Sequence, residues 1–272
     1  MPRAIDCWVN VNMGDAAPPE FLQRVAEDYF KRPDAIFRSF TPDELVAQMD
    51  AAGVEKAIVT LGSEHPAPGV LAFPKQYPDR FVLSVAVDPR RGMRAVRELE
   101  GLVRNEPVVL ARVTPFMVGG LAPTDFRYFP LYTKCIDWKL PVSINTGLPG
   151  PPMPGACQDP MHLDTICHFL PELVIVMAHG ADPWWNVAIR LMIKYANLYL
   201  MTSAYAPKYF PSELIHFLNT RGKHKILFAS DHPVLDFARC VTEAEALPLR
   251  EGVLDLFLYE NANRLFFQKE KA

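Results

Sequence analysis

A histidine and an aspartate in this chain each follow a short apolar run that stops abruptly. Leu173-Val174-Ile175-Val176-Met177 leads into Ala178-His179-Gly180, and Ile226-Leu227-Phe228-Ala229 leads into Ser230-Asp231-His232-Pro233. An imidazole titrates near neutrality, and a carboxyl group takes or gives a proton according to its surroundings, so this pair suits acid/base work on a small molecule. Apolar runs of this kind read as parallel strands covered on both faces. In a barrel of such strands, titratable groups at the C-terminal ends read as chemistry rather than stability.

Strands must hold these groups in place, and eight short runs are present to do so: Ala4 to Val11, Ala57 to Leu61, Phe81 to Val87, Val108 to Val113, Val142 to Ile144, Leu173 to Met177, Leu198 to Met201 and Ile226 to Ala229. Helical spacing fills most of the gaps. Thr41 with Glu44 forms a capping-box pattern ahead of a helix that should stop at Gly53. Val96, Leu99 and Val103 recur at helical spacing within Arg94 to Val103. Trp184 to Tyr195 and Ser212 to Leu218 have the same character, with Gly222 as a stop for the latter. Alternation of this kind predicts a (β/α)8 TIM barrel, α/β in class, as a single domain over 1–272. Two stretches exceed a minimal barrel, about 13–40 and about 147–160, and loops this long at strand ends are expected to shape a binding site.

Composition narrows the function. The chain has 272 residues, 50% hydrophobic, with a net charge of -3, so it can bury a large core and has no electrostatic reason to seek nucleic acid or an anionic membrane. A small-molecule substrate is expected. The cysteines Cys7, Cys135, Cys157, Cys167 and Cys240 are odd in number and form no CxxC pair, which argues against a disulfide framework and for a reducing, cytoplasmic setting. No export signal and no membrane span are expected.

On strand one, residues two apart share a face, so Asp6, Trp8 and Asn10 should face the interior, with Cys7 and Val9 facing the helices. The chain at this point resembles the amidohydrolase-related branch of the amidohydrolase superfamily, the group that includes amino-carboxymuconate-semialdehyde decarboxylase. The likeness runs nearly end to end. It rests on Ile5-Asp6, Leu140-Pro141-Val142-Ser143-Ile144-Asn145-Thr146-Gly147, Ala178-His179-Gly180 with Trp184-Trp185, Asn197-Leu198-Tyr199 with Thr202-Ser203, Leu227 to Pro233, and Glu260-Asn261-Ala262-Asn263-Arg264-Leu265. The resemblance implies one divalent metal held by an HxH pair on strand one, a His on strand five and an Asp on strand eight, with a further His on strand six. Trp8, Asn10 and Asn145 stand at three of those ligand positions. Only Asp231 keeps its ligand type, with His179 as the strand-six partner.

An indole only donates and an amide oxygen is a weak neutral ligand. The expectation is therefore no cofactor, with a loosely held divalent ion as the residual case. His179 and Asp231 are the expected catalytic pair. Trp8, Asn10, Arg112, Asn145, Ser203 and Tyr205 are the expected substrate-binding residues: Arg112 to grip a carboxylate, the amides to polarise a carbonyl, Trp8 as a flat apolar wall. Lys208 should be solvated. His232, directly after Asp231, should point elsewhere, His65 is a second-rank candidate, and His162, His168, His216 and His224 are expected to be structural or solvated.

The first expectation for function is a hydrolase acting without tightly bound metal on a carbonyl, lactone or carboxylate, with Asp231 and His179 taking a proton from water. A decarboxylase or other lyase is the alternative, and a catalytically silent ligand-binding barrel is the second. A homodimer is expected from family habit and from the aromatic segments Tyr128 to Tyr132 and Tyr205 to Phe210.

Overall fold

The computed structural model describes residues 2–11, 20–31 and 33–268. The eight expected strands are β1 (Ala4–Val9), β2 (Val54–Gly62), β3 (Phe81–Ala86), β4 (Val108–Val113), β5 (Val142–Asn145), β6 (Ile175–Ala178), β7 (Leu198–Met201) and β8 (Ile226–Leu227). They lie side by side in sequence order, and each neighbouring pair from β1–β2 to β7–β8 is parallel. β1 and β8 are joined by Cys7 N–H donating to the Phe228 carbonyl at 3.1 Å and Asn10 N–H to the His232 carbonyl at 2.8 Å. The result is a nearly closed TIM barrel with helices between the strands.

Helix Pro42–Ala52 carries the capping box read from Thr41 and Glu44, and Gly53 ends it at φ 74°, a left-handed conformation that glycine adopts at no steric cost. Met93–Asn105 and Trp185–Lys194 fill the expected places. Ser212–Leu218 ends at Asn219, ahead of Gly222, which sits in the following turn. Of the first inserted stretch, residues 12–19 and 32 lie outside the described residues; the rest forms short helical turns over Glu20–Tyr29 and Pro33–Ile36. The second insertion has one short turn, Ala156–Gln158. No helix among the described residues is long and apolar enough to cross a membrane.

Two apolar layers follow from the strand period of two. Val59, Leu83, Val85 and Ile144 pack outward against the helices, while Ile58, Leu110, Val176, Met201 and Leu227 fill the inside of the barrel. Tyr259, Ala262 and Phe266 join the inner cluster. They close the end of the barrel where the strands begin, fastened there by Asn261, whose amide donates to the carbonyls of Lys223 and Ile226 at 2.9 Å each. The other end is lined by polar residues on the inner parity, Thr60, Ser84, Arg112, Ser143 and Asn145. Ser84, Arg112, Ser143 and Asn145 are all buried.

β1 departs from simple alternation. Its register with β2 shifts between Asp6 and Val9, so Ile5, Cys7 and Trp8 all belong to the inner cluster while Val9 packs outward. The expected outward-facing Cys7 is thus corrected. Asp6 is instead a clamp at the β1–β8 seam: its carboxylate accepts the N–H of Trp8 at 3.0 Å and that of Ser230 at 3.1 Å.

Candidate active site

The two strand ends that carry His179 and Asp231 share an unusual backbone. Both residues are left-handed, at φ 62° and φ 64°, a conformation disfavoured for side chains with a Cβ and concentrated at functional positions. Gly180 follows His179 at φ 66°, and a Cβ there would come within 2.4 Å of the Trp185 ring. Only glycine lets the chain turn at that point.

Trp8 stands between the two groups. Its ring centroid lies 4.4 Å from that of His179, and its indole is among the influences that lower the Asp231 carboxyl against burial. Asn10 donates its amide to the same carboxylate, to Oδ1 at 2.9 Å. Arg112 enters from β4 with its guanidinium over the Trp8 ring, 2.9 Å from the centroid. It donates to the hydroxyls of Thr60 and Ser84, which share one rung of the β2–β3 ladder. Ser203 accepts the His179 N–H at 3.0 Å and lies 2.7 Å from Nδ1. Asn145 Oδ1 and Ser143 Oγ are buried without a hydrogen-bond partner among the described residues.

Burial dominates the electrostatics. Arg112 is only 6% exposed, and its desolvation disfavours the cation, opposed by the Asp231 charge. A guanidinium does not give up its proton in proteins, so the penalty becomes a demand for anions. Burial pushes the Asp231 carboxyl up to about 7, with Arg112 and the Asn10 amide pulling the other way. His179 keeps some exposed surface, yet its crowded surroundings and the Arg112 charge push its imidazole down to about 3. The imidazole is therefore neutral at working pH, and Asp231 is a carboxyl that holds its proton near neutrality.

Asp6 is likewise raised to about 7 by burial, against the lowering effect of its Ser230 and Trp8 hydrogen bonds. Between pH 4 and 7 the folded state then holds a proton that the unfolded chain has lost, so stability falls as pH rises through this window. The amplitude is up to about 4 kcal/mol for a shift of this size. Urea unfolding at pH 5 and pH 8 is expected to show Asp6→Asn less pH-dependent than wild type; equal slopes would contradict this.

Trp8, Asn10, Arg112, Asp231, His179 and Ser203 are thus brought together, with Asn145 on the inner parity of β5. Tyr205 lies at the rim, edge-on to Trp185 with centroids 5.3 Å apart. Lys208 is exposed near Glu243, and His65, His168, His216 and His224 are exposed. His162, half-buried, bonds the Ala156 carbonyl. His232 turns away from Asp231 and stacks on Phe237, with ring centroids 4.2 Å apart. Thr60 and Ser84 have clear roles that the residue pattern alone did not single out. Their signal was available: hydroxyls at the inner parity of strands otherwise built from Ile, Val and Leu.

The polar groups gather at the strand C-termini, the face on which TIM-barrel enzymes carry their active sites. The chain belongs to the amidohydrolase family, whose model, described as Amidohydrolase, matches residues 5–268. No curated protein matches it. Among solved structures it is similar to an uncharacterised TIM-barrel protein from Bordetella bronchiseptica, with 22% identity, TM-score 0.79, and 97% of this chain and 98% of that one covered. It is also similar to 5-carboxyvanillate decarboxylase from Sphingomonas paucimobilis, with 19% identity, TM-score 0.72, and 98% and 99% covered. A third is dihydroxybenzoic acid decarboxylase from Polaromonas with bound manganese and the inhibitor 2-nitroresorcinol, with 19% identity, TM-score 0.69, and 98% and 97% covered.

These findings correct two expectations. Hydrolysis as the first reading gives way, because both named enzymes are decarboxylases. A carboxyl that holds its proton near neutrality is also better placed to give a proton than to take one from water. The expectation of no cofactor is overturned by the manganese in the Polaromonas structure. The residues of this chain nevertheless do not fit that metal. Among the described residues no three His, Cys, Asp or Glu gather to hold an ion, Trp8 offers no acceptor, and Arg112 brings a positive charge to the same place. No step below is routed through a metal.

Proposed function

We propose that this protein is a non-oxidative decarboxylase of a small planar organic acid, with Arg112 holding the carboxylate and Asp231 supplying the proton that replaces it. The observation that carries the reading is the buried guanidinium of Arg112. It has two hydroxyls and an aromatic face for company, and its anionic neighbour is a carboxyl raised to about 7. A substrate carboxylate completes the pairing that burial demands. Trp8, buried with its ring covered by the Arg112 guanidinium and by the His179 imidazole, holds the two groups apart at the base of the site.

Binding of that carboxylate puts a second negative charge near Asp231 and favours its protonated form further. The carboxyl then gives its proton to the carbon bearing the carboxylate. The bond to that carboxylate breaks, its electron pair stays with the organic fragment, and carbon dioxide leaves. Asn10 donates to Oδ1, so the transferable proton sits on Oδ2.

The named activities of the Sphingomonas and Polaromonas structures support an aromatic acid as the substrate class. The test is carbon dioxide release from a panel of dihydroxybenzoates and carboxyvanillate, with added manganese and without it. Release from at least one member is expected. Silence across the panel, together with hydrolysis of an ester or lactone, would overturn the proposal.

A further inference from the structure

Ser203 makes two hydrogen bonds to one residue, which fixes more than the ring's position. Its Oγ accepts the backbone N–H of His179 at 3.0 Å, and that contact has only one polarity, since a backbone N–H only donates. The same oxygen lies 2.7 Å from Nδ1 of the His179 ring. Ser203 is fully buried, and among the described residues these are its hydrogen-bond partners. If Nδ1 carried a proton, Oγ would accept twice and its own O–H would be left without an acceptor inside the protein. Buried donors are rarely left so. The arrangement that satisfies every group has the Ser203 O–H donating to a bare Nδ1, which puts the ring proton on Nε2.

We infer that Ser203 is a positioning residue that holds His179 as the neutral Nε2–H tautomer, so that His179 serves the substrate as a hydrogen-bond donor and not as a proton carrier. The left-handed backbone at His179 belongs to this device, because it lets the N–H and the ring nitrogen of one residue meet the same hydroxyl. The nearby Arg112 charge reinforces it by disfavouring a second cation. A donor of this kind, aimed from a rigid strand end, stabilises negative charge as it develops on an oxygen of the substrate. It does so without a proton leaving the ring, which leaves proton delivery to Asp231. The inference rests on the decarboxylase reading for the identity of that oxygen; the tautomer itself does not.

Nitrogen NMR of the histidine-labelled full chain tests it apart from any activity. The expected spectrum shows His179 with Nε2 protonated and Nδ1 bare, unchanged from pH 5 to pH 8. In Ser203→Ala the ring is expected to lose that single tautomer and kcat to fall about tenfold or more, with KM changed less than threefold, while Ser203→Thr restores both. His179→Gln, which keeps a neutral N–H donor and cannot titrate, is expected to retain at least tenfold more activity than His179→Ala. A wild-type ring protonated at Nδ1, or one that titrates between pH 5 and 8, would overturn the inference even if the enzyme proves to be a decarboxylase. A correct tautomer in a protein that releases no carbon dioxide would leave the Ser203 assignment standing and remove the proposed reaction.

Discussion

Asp231→Asn is expected to lower kcat about a thousandfold while leaving the barrel folded, because the amide keeps the shape of the carboxyl and removes only its proton chemistry. Asn10 can still donate to the remaining oxygen. Binding should survive: without the Asp231 charge, Arg112 has a greater need of the substrate carboxylate, so KM is expected to stay level or fall. The pH profile carries the same information. With the Asp231 carboxyl pushed up to about 7, the proton-bearing form is full at acid pH and disappears as pH rises, so kcat/KM of the wild type should fall through about pH 7. The bound carboxylate raises the carboxyl further, and the fall in kcat should therefore come at higher pH than the fall in kcat/KM. In Asp231→Asn the residual rate should be flat across this range. A wild-type rate that instead climbs through pH 7 would mark Asp231 as a base and contradict the assignment.

Arg112→Met should weaken carboxylate recognition by roughly a hundredfold or more in kcat/KM, chiefly through KM, since removing one partner of a buried charge pair costs about 2–5 kcal/mol. Met approaches the length of the arginine stem and carries no charge into the barrel, but it leaves the Thr60 and Ser84 hydroxyls without their donor, so a loss of about 1–3 kcal/mol of stability is expected beside the kinetic effect. Two further consequences separate this from general damage. Without the guanidinium, the Asp231 carboxyl should move up, because Arg112 is the largest influence opposing its burial, and the His179 imidazole should move back toward its ordinary range. Arg112→Lys should fail as well, since a single ammonium cannot reproduce the fork that spans Thr60, Ser84 and a carboxylate. Steady-state kinetics with thermal unfolding on the same variants checks all of this. A variant that keeps KM for the carboxylate would remove Arg112 from the site.

The barrel was legible because near-continuous Val, Ile and Leu runs have few other ways to be buried. The candidate residues at strand ends stood out for the same reason: His179, Asp231, Arg112 and Asn145 interrupt or end such runs. What the residue pattern did not convey was β1. Period-two reasoning put Asp6 inside and Cys7 outside, and a register shift between Asp6 and Val9 exchanged those roles. Nor does spacing encode the Ser203–His179 contact, which needs two left-handed residues, His179 and Ala204, close together in space. The division of labour between the catalytic candidates was also hidden. His179 and Asp231 look like a matched acid/base pair in sequence, and only their burial around one guanidinium pushes the imidazole down and the carboxyl up. That difference is what favours a proton donor beside a neutral ring over a water-activating pair.

Deuterium incorporation at the carbon that loses its carboxylate tests the central claim most directly. In heavy water, with dihydroxybenzoates and carboxyvanillate as candidate substrates, the account predicts one deuterium at that carbon for each carbon dioxide released, and loss of both in Asp231→Asn. Carbon dioxide release that persists undiminished in Asp231→Asn, or turnover that leaves the carboxylate in place, would contradict it.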